Sequence, residues 1–586
     1  MTGGELALVA IMAVTLITTV VGALGIRVAR TPDDFMVAAR AVPPLRNAAA
    51  ISGEYLSAAS FLGVAGLLLK DGLGMLWYPV GYAAGYLMLL LLVAAPLRRF
   101  GAYTIPDFAE GRLGEPRLRQ VATVFVLLIG WFYLLPQLKG AGLTLHVLLG
   151  TPYWVGVGVL AIVVTSNIAA GGMKGVTFVQ AVQYWIKLVA IATPAVVLLV
   201  VAGGIHRSAL TRPVPPVFST TTTVRVQTAV AFDVTSPVTV TAHGTIDGSP
   251  IDGPLTLSSG KHSVRDGAVL VFPAGAPAPH AVGLPVLSGR SWVSPFVGEG
   301  HRGAHPLAAT YSLIVATFLG TLGLPHILVR FYTNRDGRSA RRTTVLVLML
   351  LGGFYVFPAV FAVLARLRDP GLYLTGQTDS VVLVLPHALI QGIGGELLGA
   401  LVAAGAFAAF LSTSSGLLVS VAGAMAHDLL RGGVRTFRRC AVLAGAVGLV
   451  AGLQVQQFDL NLLVGWCFAI AASTFCPLLV LGIWWRGLTW VGAIAGLVIG
   501  GGSSSVAIIL TMLGVGRTGW PGVLLGQPAI WTVPLAFLAM VVVSKATPAQ
   551  LPPDLEAKLL QLHLPEALRP RRPASLEVRP STGMDL

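Results

Sequence analysis

The sequence predicts an all-α membrane protein with about thirteen transmembrane helices and a small β-rich extracellular insert. Apolar residues make up 55% and charged residues 11% of the 586 residues, whereas soluble domains carry roughly a quarter charged residues. Apolar runs of about 20 residues, the length of a membrane-spanning helix, recur along most of the chain. Residues 204–306 break this pattern with threonine-rich, proline-containing runs.

The basic residues lie mainly in short loops between the apolar runs. A net charge of +15 would suit a nucleic-acid partner, but arginine clusters in short loops are the signature of cytoplasmic loops in a membrane protein. We therefore expect a multi-pass protein of the cell (plasma) membrane. Its expected partner is the lipid bilayer, and no nucleic-acid partner is expected. The N-terminus is predicted outside and the C-terminus in the cytoplasm. The clusters lie at residues 27–46, 96–120, 330–342 and 431–439.

Taken in order, the apolar runs predict the spans. The first run follows the acidic Glu5 and no basic residue; because a signal peptide needs a positively charged start, we expect a retained span. The three cysteines show neither metal-ligand spacing nor a disulfide framework. The predicted spans are residues 6–26, 46–69, 74–95, 121–149, 153–170, 175–203, 307–328, 343–367, 394–426, 442–453, 460–483, 487–513 and 529–543.

The insert at residues 204–306 has the period-two alternation typical of strands. Residues 224–232 and 238–242 are predicted as strands, and residues 245–250 as a turn. A disordered loop is the alternative, and we expect the folded form. Its simplest role is a structural cap without chemistry.

The second span contains a polar interruption around Glu54, which Ser52, Gly53, Ser57 and Ser60 flank. A carboxylate at membrane depth is costly unless it faces a partner, water or an ion. Small and hydroxyl residues let a helix open there, and carbonyl groups freed by the opening are suitable ligands for Na⁺ or a substrate. The alternative is a packing seam of small residues between helices.

The ninth span carries four successive hydroxyl residues, Ser412 to Ser415. Ala409, Ser412 and Thr413 lie at positions i, i+3 and i+4, on one helical face. One carbonyl and two hydroxyls on a face make half of an all-oxygen cation cage, and carbonyls of the second span could supply the other half. Hydrogen bonds of these hydroxyls to the preceding turn are the alternative, but the second, broken helix favours the cage.

At these residues the chain resembles the sodium/solute symporter family, and within it the cation/acetate (monocarboxylate) symporter branch. The resemblance covers about residues 30–545 apart from the insert. Each segment that carries it is moderately specific, and together they are highly specific. These segments are residues 34–40, 51–63, 171–174, 321–331 and 406–416.

The resemblance implies a LeuT-like core of two five-helix repeats with inverted topology, in which the first helix of each repeat is broken. Residues 321–325, with Gly323 and Pro325, would form the second break. The implied organisation is a first helix and loop (1–45), a first repeat (46–203), the insert (204–306), a second repeat (307–483), two further spans (484–545) and a cytoplasmic tail (546–586).

The resemblance also implies a Na⁺ site. Its ligands would be the carbonyls of Ala48, Ile51 and Ala409 and the hydroxyls of Ser412 and Thr413. Some relatives carry an aspartate at a second cation site, where this chain has Gln180, so the resemblance does not extend to a second ion there.

Candidates for substrate binding or coupling are Glu54, Ser57, Lys139, Gln180 and Gly323. Lys139 would be an anion partner, either for a carboxylate substrate or for Glu54, or it would extend to the outer interface. His326 is interpreted as structural.

The function implied by the resemblance is secondary active transport, the Na⁺-coupled symport of a small monocarboxylate such as acetate, propionate or pyruvate. An H⁺-coupled symporter that uses Glu54, a symporter of another solute, and a transporter-like sensor are the alternatives. An enzyme is not expected, because the chain has no Gly-x-Ser-x-Gly or His-Glu-x-x-His motif. The oligomeric state is not predicted.

Overall fold

The computed structural model describes residues 3–26, 42–205, 210, 217–218, 220–226, 229–265, 267–282, 289–296, 305–368, 371–374, 378–516 and 519–565, with the backbone only for residues 23–26 and 170–175. The motif at residues 34–40, most of the predicted inner loop at 27–46 and most of the tail lie outside these ranges. The side chains of the motif at 171–174 lie outside them as well.

Capping residues mark the ends of several helices before the insert. For example, the Thr104 side chain accepts from the backbone N–H of Asp107 at 3.1 Å and caps one helix, and Gly150, with φ 67°, ends another. These helices are α1 (Gly3–Ile26), α2 (Pro44–Tyr55), α3 (Val64–Asp71), α4 (Trp77–Leu92), α5 (Ala94–Phe100), α6 (Ile105–Leu113), α7 (Pro116–Leu149) and α8 (Tyr153–Val201).

Helix α8 continues through residues 171–174, where the sequence predicted a turn. No proline lies there to remove a backbone donor, and glycine alone weakens a helix by only about 1 kcal/mol. The apolar segments 153–169 and 176–201 therefore both lie in this helix.

A seven-stranded antiparallel sheet occupies most of the insert, in the order β1-β6-β3-β5-β2-β7, with β4 paired to β3. Phe218, Phe232 and Phe272 fill its core, and Leu374 from a later helix joins them. The strands are β1 (Thr222–Arg225), β2 (Val230–Val234), β3 (Val238–Ile246), β4 (Ser249–Leu257), β5 (Gly260–Val264), β6 (Val269–Phe272) and β7 (His280–Ala281).

The β3–β4 hairpin turns at Asp247 and Gly248, where the sequence predicted a turn. Both residues have positive φ, 50° and 81°, as a two-residue hairpin loop of type I′ requires. The Asp247 carboxylate bonds to the His262 ring at 2.7 Å, and this hydrogen bond raises the pKa of His262 above its ordinary value. The predicted strand at 224–232 is two strands, β1 and β2.

The second half of the chain returns to helices. Tighter 3₁₀ turns cover Arg330–Thr333, Thr378–Ser380 and Pro548–Gln550, and wider π-turns cover Ala424–Leu429 and Leu497–Gly501. The helices are α9 (Gly289–Trp292), α10 (Pro306–Gly323), α11 (Pro325–Val329), α12 (Gly337–Arg368), α13 (Gly371–Leu374), α14 (Val381–Leu389), α15 (Ile393–Gly423), α16 (Val434–Gly452), α17 (Leu460–Trp484), α18 (Trp490–Gly496), α19 (Gly502–Met512), α20 (Gly519–Gly526), α21 (Ala529–Ala546) and α22 (Leu555–His563).

The core of the bundle lies around α15 and α17. Their most apolar stretches are 83% and 89% buried, whereas that of α1 is 22% buried. Helix α15 packs against α8, α1 and α7, and α10 packs against α17 and α4. Helix α2 packs against α8 and α12, so the interrupted second span lies inside the bundle.

Within the described residues, ten helices are long and apolar enough to cross a membrane, and a bent pair raises this number to eleven. The protein is therefore a multi-pass membrane protein. Two predicted spans fall on weaker segments, one on the shorter apolar part of α8 and one on α16, which begins with three arginines. The count of thirteen spans stays a prediction.

Candidate functional site

The second span is broken, as the polar interruption around Glu54 predicted. Helix α2 ends at Tyr55, a π-turn begins at Ala59, and the two halves are bent by 71°. The side-chain oxygen of Gln137 accepts the backbone N–H of Ala58 at 2.8 Å. The break is therefore stable inside the bundle, because a neighbouring helix satisfies a backbone group that the break has freed.

Two hydroxyls of α15 reach the carbonyls at the end of α2. Ser412 donates to the Gly53 carbonyl at 2.5 Å, and Thr413 donates to the Glu54 carbonyl at 2.6 Å. All four residues are buried. The structure thus brings together the two segments that the sequence singled out separately.

The three carbonyls of the predicted Na⁺ site, those of Ala48, Ile51 and Ala409, are also fully buried in α2 and α15. In the described part of the chain the two hydroxyls donate to the carbonyls of Gly53 and Glu54, which follow the predicted carbonyls of Ala48 and Ile51 in α2. The complete set of ligands stays a prediction.

Glycines allow this close approach. A Cβ atom at Gly53 would lie 2.3 Å from the Gln180 carbonyl of α8, and one at Gly416 would lie 1.9 Å from the Glu54 carboxylate. Real Cβ atoms essentially never come so near another atom, so larger residues would push α8 and α15 away from α2. The small-residue seam considered from the sequence and the break are therefore parts of the same arrangement.

Glu54 forms a buried ion pair with Arg330, whose Nε lies 2.7 Å from its carboxylate. Both side chains are 1% exposed. The guanidinium also donates to Thr177 at 2.6 Å and to Gln180, and Gln180 donates to the Ser412 carbonyl at 2.8 Å. Gln180 therefore links the ion pair to the helix that carries the hydroxyls.

Lys139, proposed from the sequence as one possible partner of Glu54, lies elsewhere. Its ammonium is 3.3 Å from Asp379 and also donates to the Phe458 carbonyl. The ammonium is therefore not paired with Glu54, and that prediction is wrong. The extension of the side chain to the outer interface stays a prediction. An internal carboxylate supplies the partner that a buried lysine needs. A role of Lys139 in substrate binding stays a prediction.

The second predicted break is present as well. Helix α10 ends at Gly323, Leu324 is extended with ψ 111°, and α11 begins at Pro325. A Cβ atom at Gly323 would lie 2.4 Å from the Ala471 carbonyl of α17, so the residue must be small. A hydrogen bond of 3.2 Å between the Tyr55 and Thr321 hydroxyls connects the two breaks.

Aromatic rings surround the region between the breaks. The rings of Tyr133 and His326 lie 5.0 Å apart with their planes tilted by 57°, and both ring nitrogens of this buried histidine lack a hydrogen-bond partner among the described residues. The predicted candidate Ser57 is buried in the unwound segment. The further rings of the cluster are Tyr55, Tyr82, Tyr86, Tyr355 and Phe468.

Sequence reasoning missed three residues at the first break, namely Lys187, Arg330 and Gln137. Lys187 donates to the Gly53 carbonyl and, at 2.9 Å, to the Leu56 carbonyl. It is an ionisable residue inside an apolar run, so the rule that identified Glu54 would have found it. Arg330 was noted only within a motif, and Gln137 gave no signal in the sequence.

Two broken helices meet inside a bundle of apolar helices, and hydroxyls donate to the carbonyls that one break has freed. This arrangement is that of a membrane transporter with discontinuous helices. Residues 35–240 and 294–500, more than half of the chain, match the Sodium:solute symporter family, and the protein belongs to this family. It is therefore a transporter and not an enzyme.

Relatives resemble the chain over most of its length. An uncharacterized symporter, YwcA of Bacillus subtilis (strain 168), is 29% identical over 90% of this chain and 91% of its own. A monocarboxylic acid transporter of Corynebacterium glutamicum is 28% identical over 86% of this chain and 85% of its own.

Solved structures share the fold. A Na⁺-coupled sialic acid symporter in a substrate-bound outward-open state has a TM-score of 0.65 at 13% identity, over 93% of this chain and 98% of that one. Mhp1, a nucleobase-cation-symport-1 family transporter in a closed conformation, has a TM-score of 0.51 at 13% identity, over 91% of this chain and 100% of that one. At this identity the likeness concerns the fold alone.

Proposed function

We propose that the protein is a Na⁺-coupled symporter of a small monocarboxylate in the plasma membrane. The observation that carries the proposal is the contact of Ser412 and Thr413 with the carbonyls at the first break. A hydroxyl that donates its hydrogen to a carbonyl keeps its lone pairs. The two oxygens can therefore accept a cation while they hold the break, together with the carbonyls of Ala48, Ile51 and Ala409.

The buried charges support an anionic substrate. Glu54 and Arg330 neutralise each other, as do Lys139 and Asp379. Lys187 adds a buried amino group at the break, and its ammonium form gives an excess of positive charge there. Such an excess favours an anion. The name of the similar Corynebacterium glutamicum protein, a monocarboxylic acid transporter, supports the same substrate class.

The experiment is uptake into proteoliposomes of labelled short carboxylates, sugars and amino acids, with and without an inward Na⁺ gradient. We expect uptake of acetate, propionate or pyruvate that depends on the Na⁺ gradient, and no uptake of sugars. Uptake that is indifferent to Na⁺ but collapses with the proton gradient would favour an H⁺-coupled symporter. A preferred sugar or amino acid would contradict the proposed substrate class.

We also propose thirteen spans, with two inverted repeats at residues 46–203 and 307–483, the N-terminus and the insert outside, and the C-terminus inside. Residue Ser258, exposed after β4, and Ser339, partly exposed in α12, are suitable for single cysteine replacements. The three native cysteines are buried, so they give little background. We expect a membrane-impermeant maleimide to label Ser258→Cys from outside and Ser339→Cys only after permeabilisation. Labelling of both from one side contradicts this topology.

A further inference from the structure

Lys187 occupies the first break with its amino group. The residue lies in α8, is fully buried, and donates to the carbonyls of Gly53 and Leu56. These carbonyls lie at the two sides of the end of α2, where the helix no longer uses them. A buried lysine usually has a carboxylate as its hydrogen-bond partner, whereas within the described residues the Lys187 amino group donates to these two carbonyls.

The Gly53 carbonyl is shared. It accepts from Lys187 and also from Ser412 at 2.5 Å. A cation held by the Ser412 hydroxyl would therefore lie within a few ångströms of the lysine amino group. Two positive charges at that distance repel each other strongly in a buried site, where the screening by water is weak.

The Glu54 carboxylate attracts the Lys187 ammonium, but it relieves only part of this repulsion. This carboxylate is engaged by Arg330 at 2.7 Å, and the guanidinium matches the carboxylate in charge. The break therefore has no unneutralised carboxylate to balance a second cation. Its carbonyl dipoles can stabilise only a small number of positive charges.

We propose that Lys187 is a tethered cation that competes electrostatically with Na⁺ at the first break and so sets the Na⁺ affinity of the transporter. An ammonium group and Na⁺ carry the same charge and both bind carbonyl oxygens. Na⁺ binding then requires the lysine to withdraw from Gly53, and release of Na⁺ lets it return. When Na⁺ is absent, the lysine provides hydrogen bonds to the free carbonyls of the break. When Na⁺ binds, the cost of displacing the lysine makes the binding weak and reversible. The inference rests on the proposed Na⁺ coupling.

The test is a Na⁺ titration of the thermal unfolding of the purified full-length protein in detergent, at constant ionic strength with choline as the replacement ion. Wild type is compared with Lys187→Gln and Lys187→Met. Glutamine keeps a hydrogen-bond donor without charge, so it separates the charge from the donated hydrogen bonds. Lys70→Met is the matched control. Lys70 also lies in the broken second span, but its ammonium pairs with Asp459 at 2.8 Å.

We expect the Na⁺ concentration at half-maximal stabilisation to fall by roughly tenfold or more in both Lys187 variants, because a like charge has been removed. The control should keep the wild-type midpoint. A midpoint that is unchanged or higher in Lys187→Gln overturns the proposal, and this includes the case in which the lysine is already neutral. If Lys187→Met does not fold, Lys187→Gln alone decides.

Failure of the proposed function gives a different result. If Na⁺ does not change the thermal stability of the wild type, Na⁺ coupling is contradicted. The proposed competition is then tested by the two Lys187 variants alone. A Na⁺ response that appears only in these variants supports the tethered cation, and its absence from both overturns it.

Discussion

We expect the double replacement Ser412→Ala with Thr413→Ala to abolish Na⁺-stimulated uptake at ordinary Na⁺ concentration, while the protein remains folded in the membrane. Each replacement removes one uncharged oxygen from the break. In a desolvated site such a loss costs about 1–3 kcal/mol, or roughly 5- to 150-fold in Na⁺ affinity. The two losses together place Na⁺ binding beyond the usual concentration range, and excess Na⁺ should partly rescue each single variant.

The neighbouring hydroxyls provide the control for this experiment. Ser414 is buried on the same helix, and its hydroxyl has no hydrogen-bond partner among the described residues. Ser414→Ala should therefore keep the Na⁺ dependence of uptake, and Thr413→Ser should keep it too, because a hydroxyl remains. Equal loss in Ser414→Ala and in the double variant would show that the effect is general packing and not a ligand role.

The second large effect concerns the ion pair of Glu54 and Arg330. We expect Arg330→Met to lower the free energy of unfolding by about 3–5 kcal/mol, because it leaves a buried carboxylate without its partner. Glu54→Gln should cost less, since the guanidinium keeps its bonds to Thr177 and Gln180 and gains a neutral acceptor. The measurement is thermal unfolding, together with the yield of monodisperse protein in detergent.

The double variant Glu54→Gln with Arg330→Met tests whether the two side chains act as a pair. Residues in direct contact show a coupling free energy, so the double variant should be more stable than the sum of the single losses allows. A matched comparison is Lys139→Met with Asp379→Asn, which removes another buried ion pair. Additive losses at Glu54 and Arg330 would contradict a direct interaction that stabilises the break.

Much of the site could be predicted because its signals are local. A carboxylate among small residues in an apolar run, and a row of four hydroxyls in another, are unusual enough to identify by reading a few residues. The structure contains the break of the second span and the break at Gly323 where they were predicted. It also has a helix that carries Ser412 and Thr413.

The partners of the buried charges could not be predicted in the same way. Glu54 and Arg330 are 276 residues apart in the chain, and Lys139 and Asp379 are 240 residues apart. No periodicity links such positions, and any one of several buried cations would satisfy a buried carboxylate. The suggestion that Lys139 pairs with Glu54 was wrong for this reason.

The sequence by itself determined that this protein is a multi-pass membrane protein, and it located the breaks near Glu54 and at Gly323 and the row of hydroxyls at Ser412 and Thr413. These properties depend on composition and on the spacing of neighbours along one helix. Only the tertiary structure decided that Arg330 neutralises Glu54 and that Lys187 reaches the carbonyls of Gly53 and Leu56. Those contacts form between helices far apart in the chain, and the close packing that glycines such as Gly53 and Gly416 allow decides which charges meet.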